Sequence, residues 1–159
     1  MSEEQKKQIS FSLNAFEIDS YSFDKPPKNY KKEDFGYQIQ FRPIVNVDEN
    51  LFSIEMKVQA QIGKKAETII GFIHTISKYK INGLHDLIND LGQLLLPKNL
   101  AVTLLSIALS TTRGAMAAKS EGNILAENVM PLINPEEMYE SSPLKGPIEL
   151  EEKDEATSE

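Results

Sequence analysis

Apolar and polar residues alternate along the first half of the chain, which is the period of a β-strand with one buried face. The alternating stretches span residues 9–23, 35–43, 52–62 and 67–81. In the first stretch the alternation changes phase near Ala15, as a bulge in a strand would cause. The second stretch places Tyr37, Ile39 and Phe41 on one side. Short connections favour antiparallel pairing, because parallel neighbours need a long crossover.

The second half of the chain has the periodicity of helices. Residues 83–97 are weakly helical, and we expect them to form a connector or lid. A strongly apolar helix follows from Pro97 to Arg113, and a loop with Gly114 and Gly122 comes after it. Asn134 can cap a final short helix, since Pro135 suits its first position and two glutamates follow.

The apolar helix carries an unusually wide hydrophobic surface. Its polar residues Thr103, Ser106, Ser110 and Arg113 fall on one narrow stripe, while the apolar residues sweep an arc of roughly 220°. An ordinary surface helix buries a stripe of about 100°. One sheet face covers one side only, so we expect a second copy of the chain to cover the other. The predicted interface residues are Leu100, Leu104, Leu105, Ile107 and Leu109. The alternative is cover by the connector and the last helix within one monomer.

These patterns predict an α+β fold, in which a four-stranded antiparallel sheet is followed by a long buried helix and a short C-terminal helix. We expect residues 9–141 to form a single domain. Residues 1–8 are predicted to be disordered. Residues 142–159 are acidic and without period, and we expect a disordered tail there.

Charge and composition exclude several classes of protein. The chain has a formal net charge of −7, but residues 120–159 alone carry −9, so the remainder is close to neutral at +2. It lacks the basic surface that nucleic-acid binding needs. There is no cysteine, and the first ten residues contain no apolar run of the kind a signal peptide has. No window reaches the ~18 apolar residues of a membrane span. We therefore expect a cytoplasmic protein that does not insert into membranes.

The sequence contains none of the common catalytic motifs. It has no glycine-rich phosphate loop, no paired-histidine zinc motif and no nucleophile elbow. His74 and His85 are isolated, and neither has metal-ligand spacing to other residues. We therefore expect no enzymatic activity, no catalytic residue, no metal site and no cofactor.

Three stretches in serial order resemble the SecB family of protein-export chaperones. They are "YSFDKPP" at residues 21–27, "LLPKNLAVTLLSIALSTTRG" at residues 95–114 and "MPLINPEEMY" at residues 130–139. The resemblance covers roughly residues 16–139. This chain departs from the family in a longer loop between Gly114 and Pro131. Of the acidic surface by which the family docks on the translocase ATPase, only Asp24 is clearly matched.

The resemblance implies an ATP-independent holdase, built as a homotetramer from a dimer of dimers. Its partners would be unfolded or preprotein clients, held in apolar surface grooves. The resemblance also implies a role in protein export, with the translocase ATPase as a partner. Apolar and flexible side chains suit such a groove because they accept many sequences. The positions that match the family's client groove are Tyr37, Ile39, Phe41, Leu132, Met138 and Tyr139. Met138 and Tyr139 are adjacent, so at most one of them is expected to point fully inward.

Two other functions stay open at this point. Divergent members of the family serve as dedicated chaperones of a single partner such as an antitoxin. A sheet wrapped around a helix also occurs in small-ligand carriers and hotdog-type thioesterases. Those proteins place the long helix among the strands, whereas here it follows all four.

Overall fold

A computed structural model describes residues 9–25, 31–63, 68–122 and 130–150. The predicted N-terminal disorder of residues 1–8 lies outside these ranges. The strands are β1 (Phe11–Phe23), β2 (Phe35–Asn46), β3 (Leu51–Ile62), β4 (Thr68–Ile81), β5 (Gln93–Leu94) and β6 (Ile148–Glu149). The helices are α1 (Lys98–Lys119) and α2 (Pro135–Glu140). The predicted α+β architecture is confirmed: the four-stranded antiparallel sheet precedes one long and one short helix.

The sheet has the strand order β1-β4-β3-β2, with every neighbouring pair antiparallel. One of its faces carries the core: Phe52, Ile54, Met56 and Val58 of β3 are fully buried there. We call this the helix face and the opposite one the outer face. β2 and β1 are the two edges of the sheet.

The strand β1 contains two register shifts against β4. The first lies between Leu13 and Ala15, where the sequence predicts a change of phase. The second lies between Ile18 and Ser20 and was not predicted. Each shift leaves one residue of β1 without a partner, as in a β-bulge. Bulges at an edge hinder pairing with a further strand, whereas β2 pairs with β3 without a shift over its whole length.

The helix α1 lies on the helix face, over β3 and β4. Its buried residues are Leu100, Ala101, Leu104, Leu105, Ala108, Leu109, Thr112 and Met116. Two buried hydrogen bonds fix its position on the sheet. The Tyr79 hydroxyl donates to the main-chain carbonyl oxygen of Leu104 over 2.7 Å, and the hydroxyls of Thr75 and Thr112 lie 2.8 Å apart.

The prediction that the helix ends at Arg113 is wrong. α1 continues to Lys119 and includes Gly114, which was assigned to a loop. The extension AMAAK consists of residues with high helix propensity, and these outweigh the cost of one glycine. Met116 is buried in the core, so tertiary packing also stabilises the added turns.

The connector between β4 and α1 is mostly not helical. It forms a short 3-10 helix at Leu84–Leu87 and the strand β5. Between them the Asn89 side-chain oxygen accepts hydrogen bonds from the main-chain N–H groups of Leu91 and Gln93. Such side-chain contacts compete with helical hydrogen bonds and favour turns.

The final helix begins as predicted: the Asn134 side chain accepts a hydrogen bond from the Glu136 main-chain N–H over 3.0 Å, and Pro135 opens α2. The chain then departs from the expected tail. Leu144 is fully buried, and β6 pairs with β5. The part of the expected tail up to Leu150 is therefore packed, because its few apolar residues reach the core. Residues 151–159 lie outside the described ranges.

Candidate functional site

The predicted apolar face of β2 lies on the helix face of the sheet. Its residues pair with fully buried residues of β3: Tyr37 with Ala60, Ile39 with Val58, and Phe41 with Met56. Yet Tyr37, Ile39 and Phe41 are themselves only partly buried. α1 packs on β3 and β4, so the helix does not fully cover the edge strand β2. We call Tyr37, Ile39 and Phe41 the β2 strip.

The β2 strip packs against the core on one side and meets solvent on the other. Burial is sufficient to raise the pKa of the Tyr37 hydroxyl by desolvation. The residues between, Gln38 and Gln40, point to the outer face and are exposed and uncharged. The strip is therefore a line of aromatic and aliphatic side chains with no charged residue between them.

The three residues near the last helix that were predicted to contact clients lie in three different environments. Leu132 is 84% exposed. Met138 is partly buried. Tyr139 is buried, with the Lys98 ammonium 6.0 Å from the centre of its ring. Tyr139 is therefore a core residue and offers little surface to a client. Met138 is the member of the pair that remains accessible.

A small cleft separates α1 from the segment before α2. Ser106, Leu109, Ser110 and Arg113 line one side, and residues 130–133 with Pro135 line the other. Its volume is about 40 Å³, far below the ~300–1,000 Å³ of small-molecule sites. Its size does not suit a cofactor.

The predicted interface residues of α1 are mostly internal to the single chain. Leu104 and Leu105 are fully buried, and Leu100 and Leu109 are nearly so. Only Ile107 is partly exposed. The premise that one chain cannot cover this helix is therefore wrong for these four leucines. α2 packs on α1 as well, so the monomer supplies the second cover.

The helix α1 nevertheless keeps one exposed line of small residues. Thr103, Ser110 and Gly114 are exposed, and Ile107 lies among them and is partly exposed. Their spacing places them on one side of the helix. A side chain added at Gly114 would meet no atom within 4 Å. We call Thr103, Ile107, Ser110 and Gly114 the α1 stripe.

By length and composition alone, α1 is also apolar enough to cross a membrane. Leu104, Leu105 and Ala108 are fully buried within the protein, however. This is the placement of a core helix, and core helices can be as long and as apolar as membrane-spanning ones.

The outer face of the sheet carries a row of charges that the sequence analysis missed. The Arg42 guanidinium donates to Glu55 Oε2 from both Nε and Nη2, over 3.1 and 2.9 Å. His74 Nε2 lies 3.1 Å from Glu55 Oε1, and His74 Nδ1 lies 3.0 Å from Asp19 Oδ2. The row thus crosses all four strands. When the His74 ring is protonated, the charges alternate in sign from Asp19 to Arg42. Alternation of residues along one strand does not show such a row, because its members come from four strands.

Glu55 is only 8% exposed, although it lies on the outer face. Burial by itself would raise the pKa of its carboxyl group. The hydrogen bonds and charge of Arg42, with the charges of His74 and Lys57, outweigh that effect and lower the pKa of Glu55 below its ordinary value. Glu55 is therefore an ionised and internally paired carboxylate.

The acidic residue proposed for docking, Asp24, is exposed and follows β1 directly. Its main-chain N–H donates to the Ile70 carbonyl oxygen over 2.8 Å. Two other carboxylates of β1 have basic partners within the chain: Lys78 Nζ lies 2.8 Å from Glu17, and His74 contacts Asp19.

The described residues include no cluster of three or more histidine or acidic side chains placed to hold a metal ion. His85 is exposed, and its Nδ1 lies 3.9 Å from Asp86. No family model matches the chain, and no curated protein matches it.

Proposed function

We propose that this protein is an ATP-independent holdase of the SecB-like kind, which binds non-native polypeptide segments on the β2 strip. The observation that carries this proposal is the partial exposure of Tyr37, Ile39 and Phe41 on the helix face of the sheet. Residues at paired positions one strand further in are fully buried. The strip is therefore an apolar surface that continues the protein core but is only partly buried.

Such a surface suits an unfolded chain for physical reasons. A non-native segment offers extended backbone and scattered apolar side chains, and burial of apolar area stabilises the contact by about 25 cal/mol per Å². Aromatic and aliphatic side chains make few directional demands, so they tolerate different sequences. Exposed Leu132 and accessible Met138 offer separate apolar surface, and methionine adapts readily to different partners.

We further propose that the protein assembles as a homotetramer, a dimer of dimers in which the α1 stripe, rather than the buried leucines, pairs two copies. Small residues at Ser110 and Gly114 allow a second helix to approach closely. Ile107 supplies apolar area at the centre of the stripe. A second copy would bury this side of α1 without disturbing the contacts that α1 makes with its own sheet.

The proposed partners are unfolded or preprotein clients in the cytoplasm. Contact with the translocase ATPase is proposed only through Asp24, because this exposed residue is the one clear match to the acidic docking surface of the SecB family. A dedicated chaperone of one partner, such as an antitoxin, would use the same strip.

The proposal is tested by aggregation of an unfolded model substrate in the presence of stoichiometric protein and no nucleotide. We expect the native protein to suppress aggregation and the double variant Tyr37→Ser with Phe41→Ser to lose most of this effect. Ile44→Ser is the matched control, since Ile44 lies on the same strand, is 39% exposed and points to the outer face.

Equal suppression by the double variant and the control would contradict the assignment of the β2 strip. Circular dichroism of each variant shows whether the fold is retained. Affinity capture from a native extract separates a broad holdase, with many bound proteins, from a dedicated chaperone with one dominant partner.

A further inference from the structure

His74 lies between two carboxylates that come from the two strands next to its own. Asp19 belongs to β1 and Glu55 to β3, while His74 is in the middle, on β4. The Nδ1 atom faces Asp19 over 3.0 Å and the Nε2 atom faces Glu55 over 3.1 Å. Both nitrogens of one ring therefore face a carboxylate oxygen.

The second bulge of β1 brings Asp19 to this position. Ile18 pairs with Thr75 on the helix face, and Ser20 pairs with His74 on the outer face. Asp19 lies between these pairs at the register shift and has no partner residue of its own. A bulge turns an extra side chain toward one face, and here that side chain contacts His74.

The chemistry of imidazole makes this arrangement informative. A neutral ring has one N–H donor and one nitrogen with a lone pair, whereas the charged ring donates from both nitrogens. His74 Nε2 is buried and has no well-aligned hydrogen bond. In a neutral ring that donates to Asp19, this nitrogen would turn its lone pair toward the Glu55 carboxylate. A second proton on the ring converts that repulsion into an ion pair.

The neighbouring charges also favour the protonated ring. Glu55 is held in its ionised form by Arg42 on β2, and Asp19 is half exposed to water. Lys57 is the residue of β3 opposite His74, but its ammonium lies 4.0 Å from Glu55 and is largely exposed. On the β1 side, Glu17 is paired with Lys78 of β4. The two carboxylates in contact with the ring thus outweigh the more distant lysine.

We infer that His74 carries a proton on both ring nitrogens and bridges Asp19 to Glu55, so that the attachment of the edge strand β1 to the sheet weakens as the pH rises. Loss of the proton removes the cation from the centre of the row and leaves two carboxylates facing a neutral ring. The bridge is stabilising while the ring is charged, and its contribution disappears as the pH increases.

The protonation state can be measured directly, because the chain has only two histidines. Two-dimensional NMR of the ¹⁵N-labelled imidazoles distinguishes a ring with two N–H groups from a neutral tautomer. In neutral buffer we expect both ring nitrogens of His74 to carry a proton. In Asp19→Asn the doubly protonated fraction of His74 should fall, while His85, which is exposed, should not change. A neutral His74 ring in the native protein under these conditions would overturn the inference.

Stability measurements test the consequence for the fold. We expect the urea midpoint of the native protein to fall as the pH rises. The fall should be absent in His74→Gln and retained in His85→Gln. If His74→Gln does not fold, Asp19→Asn serves instead, and it should reduce the pH dependence. The same slope in the native protein and in the tested variant would show that His74 is not the pH-sensitive bridge.

Discussion

The hydroxyl of Tyr79 on β4 donates to the main-chain carbonyl oxygen of Leu104 in α1, over 2.7 Å and in the interior. This bond links the last part of β4 to the second turn of the long helix. Burial raises the pKa of the Tyr79 hydroxyl strongly, so it remains a donor throughout the usual pH range.

Tyr79→Phe removes this hydrogen bond and keeps the ring. We expect the free energy of unfolding to fall by about 1 kcal/mol. The loss is small because the Leu104 carbonyl oxygen also lies within a helix. Urea unfolding measures it. Tyr21→Phe is the control, since Tyr21 is 48% exposed and its ring stays available to Lys119. Equal losses in the two variants would show that the bond contributes nothing specific.

The buried hydroxyl pair of Thr75 and Thr112 should show strong coupling. Replacing either threonine by valine leaves the other hydroxyl without its partner, at a cost of about 1–3 kcal/mol. The double variant removes both hydroxyls while keeping their shape, so we expect it to lose less than the two single variants together. A double-mutant cycle from urea unfolding gives the coupling energy, and strictly additive losses would contradict the pairing.

The lowered pKa of Glu55 predicts a defined response to acid. A carboxyl group whose pKa is lowered by folding stabilises the native state above its ordinary pKa, and this contribution is lost as the pH falls through the lowered value. In Arg42→Gln the pKa of Glu55 should rise, so acid unfolding should begin at a higher pH.

The control for this prediction is Lys80→Gln, which removes an equal charge at an exposed position of β4. Circular dichroism during acid titration follows all three proteins. Acid midpoints of Arg42→Gln and Lys80→Gln that coincide would indicate a general effect of net charge instead of the Arg42 contact with Glu55.

Gly114 and Gly122 should respond to alanine in opposite directions. In a single chain Gly114 of α1 has open space around it, so alanine should stabilise the isolated monomer by about 0.5–1 kcal/mol. Gly122 has φ +77°, where a side chain is strained, so alanine should destabilise it. Thermal unfolding at a dilution at which the protein is monomeric compares the two, and a destabilising Gly114→Ala there would contradict the helical assignment of residues 114–119.

The proposed assembly through the α1 stripe gives a further prediction. Ile107→Arg places a charge at the centre of the stripe, and we expect it to reduce a tetramer to a smaller species because an unpaired charge is costly to bury. Light scattering measures the mass. Leu132→Arg is the control, since Leu132 is exposed outside the stripe. A native protein that is monomeric would contradict the proposed tetramer.

The alternation of residues was sufficient to predict the four strands and the first bulge of β1, because side chains on a strand alternate between faces regardless of what covers them. It also predicted the start of α2, since the Asn134 cap and Pro135 act locally. The extent of α1 was missed. Helix propensity continues beyond Arg113, and Gly114 alone did not end the helix.

Only the tertiary structure decided which apolar surfaces are covered. A helical wheel shows that Leu104 and Leu105 are apolar, but it does not show that the sheet and the segment around α2 enclose them. The same limit applies to Leu144, which lies in an acidic stretch and is nevertheless buried. The row from Asp19 to Arg42 likewise depends on strand order and on a second bulge. Local sequence fixes the period of an element, whereas contacts between distant residues depend on how the elements pack. That packing decided both the partial exposure of the β2 strip and the row of charges across the sheet.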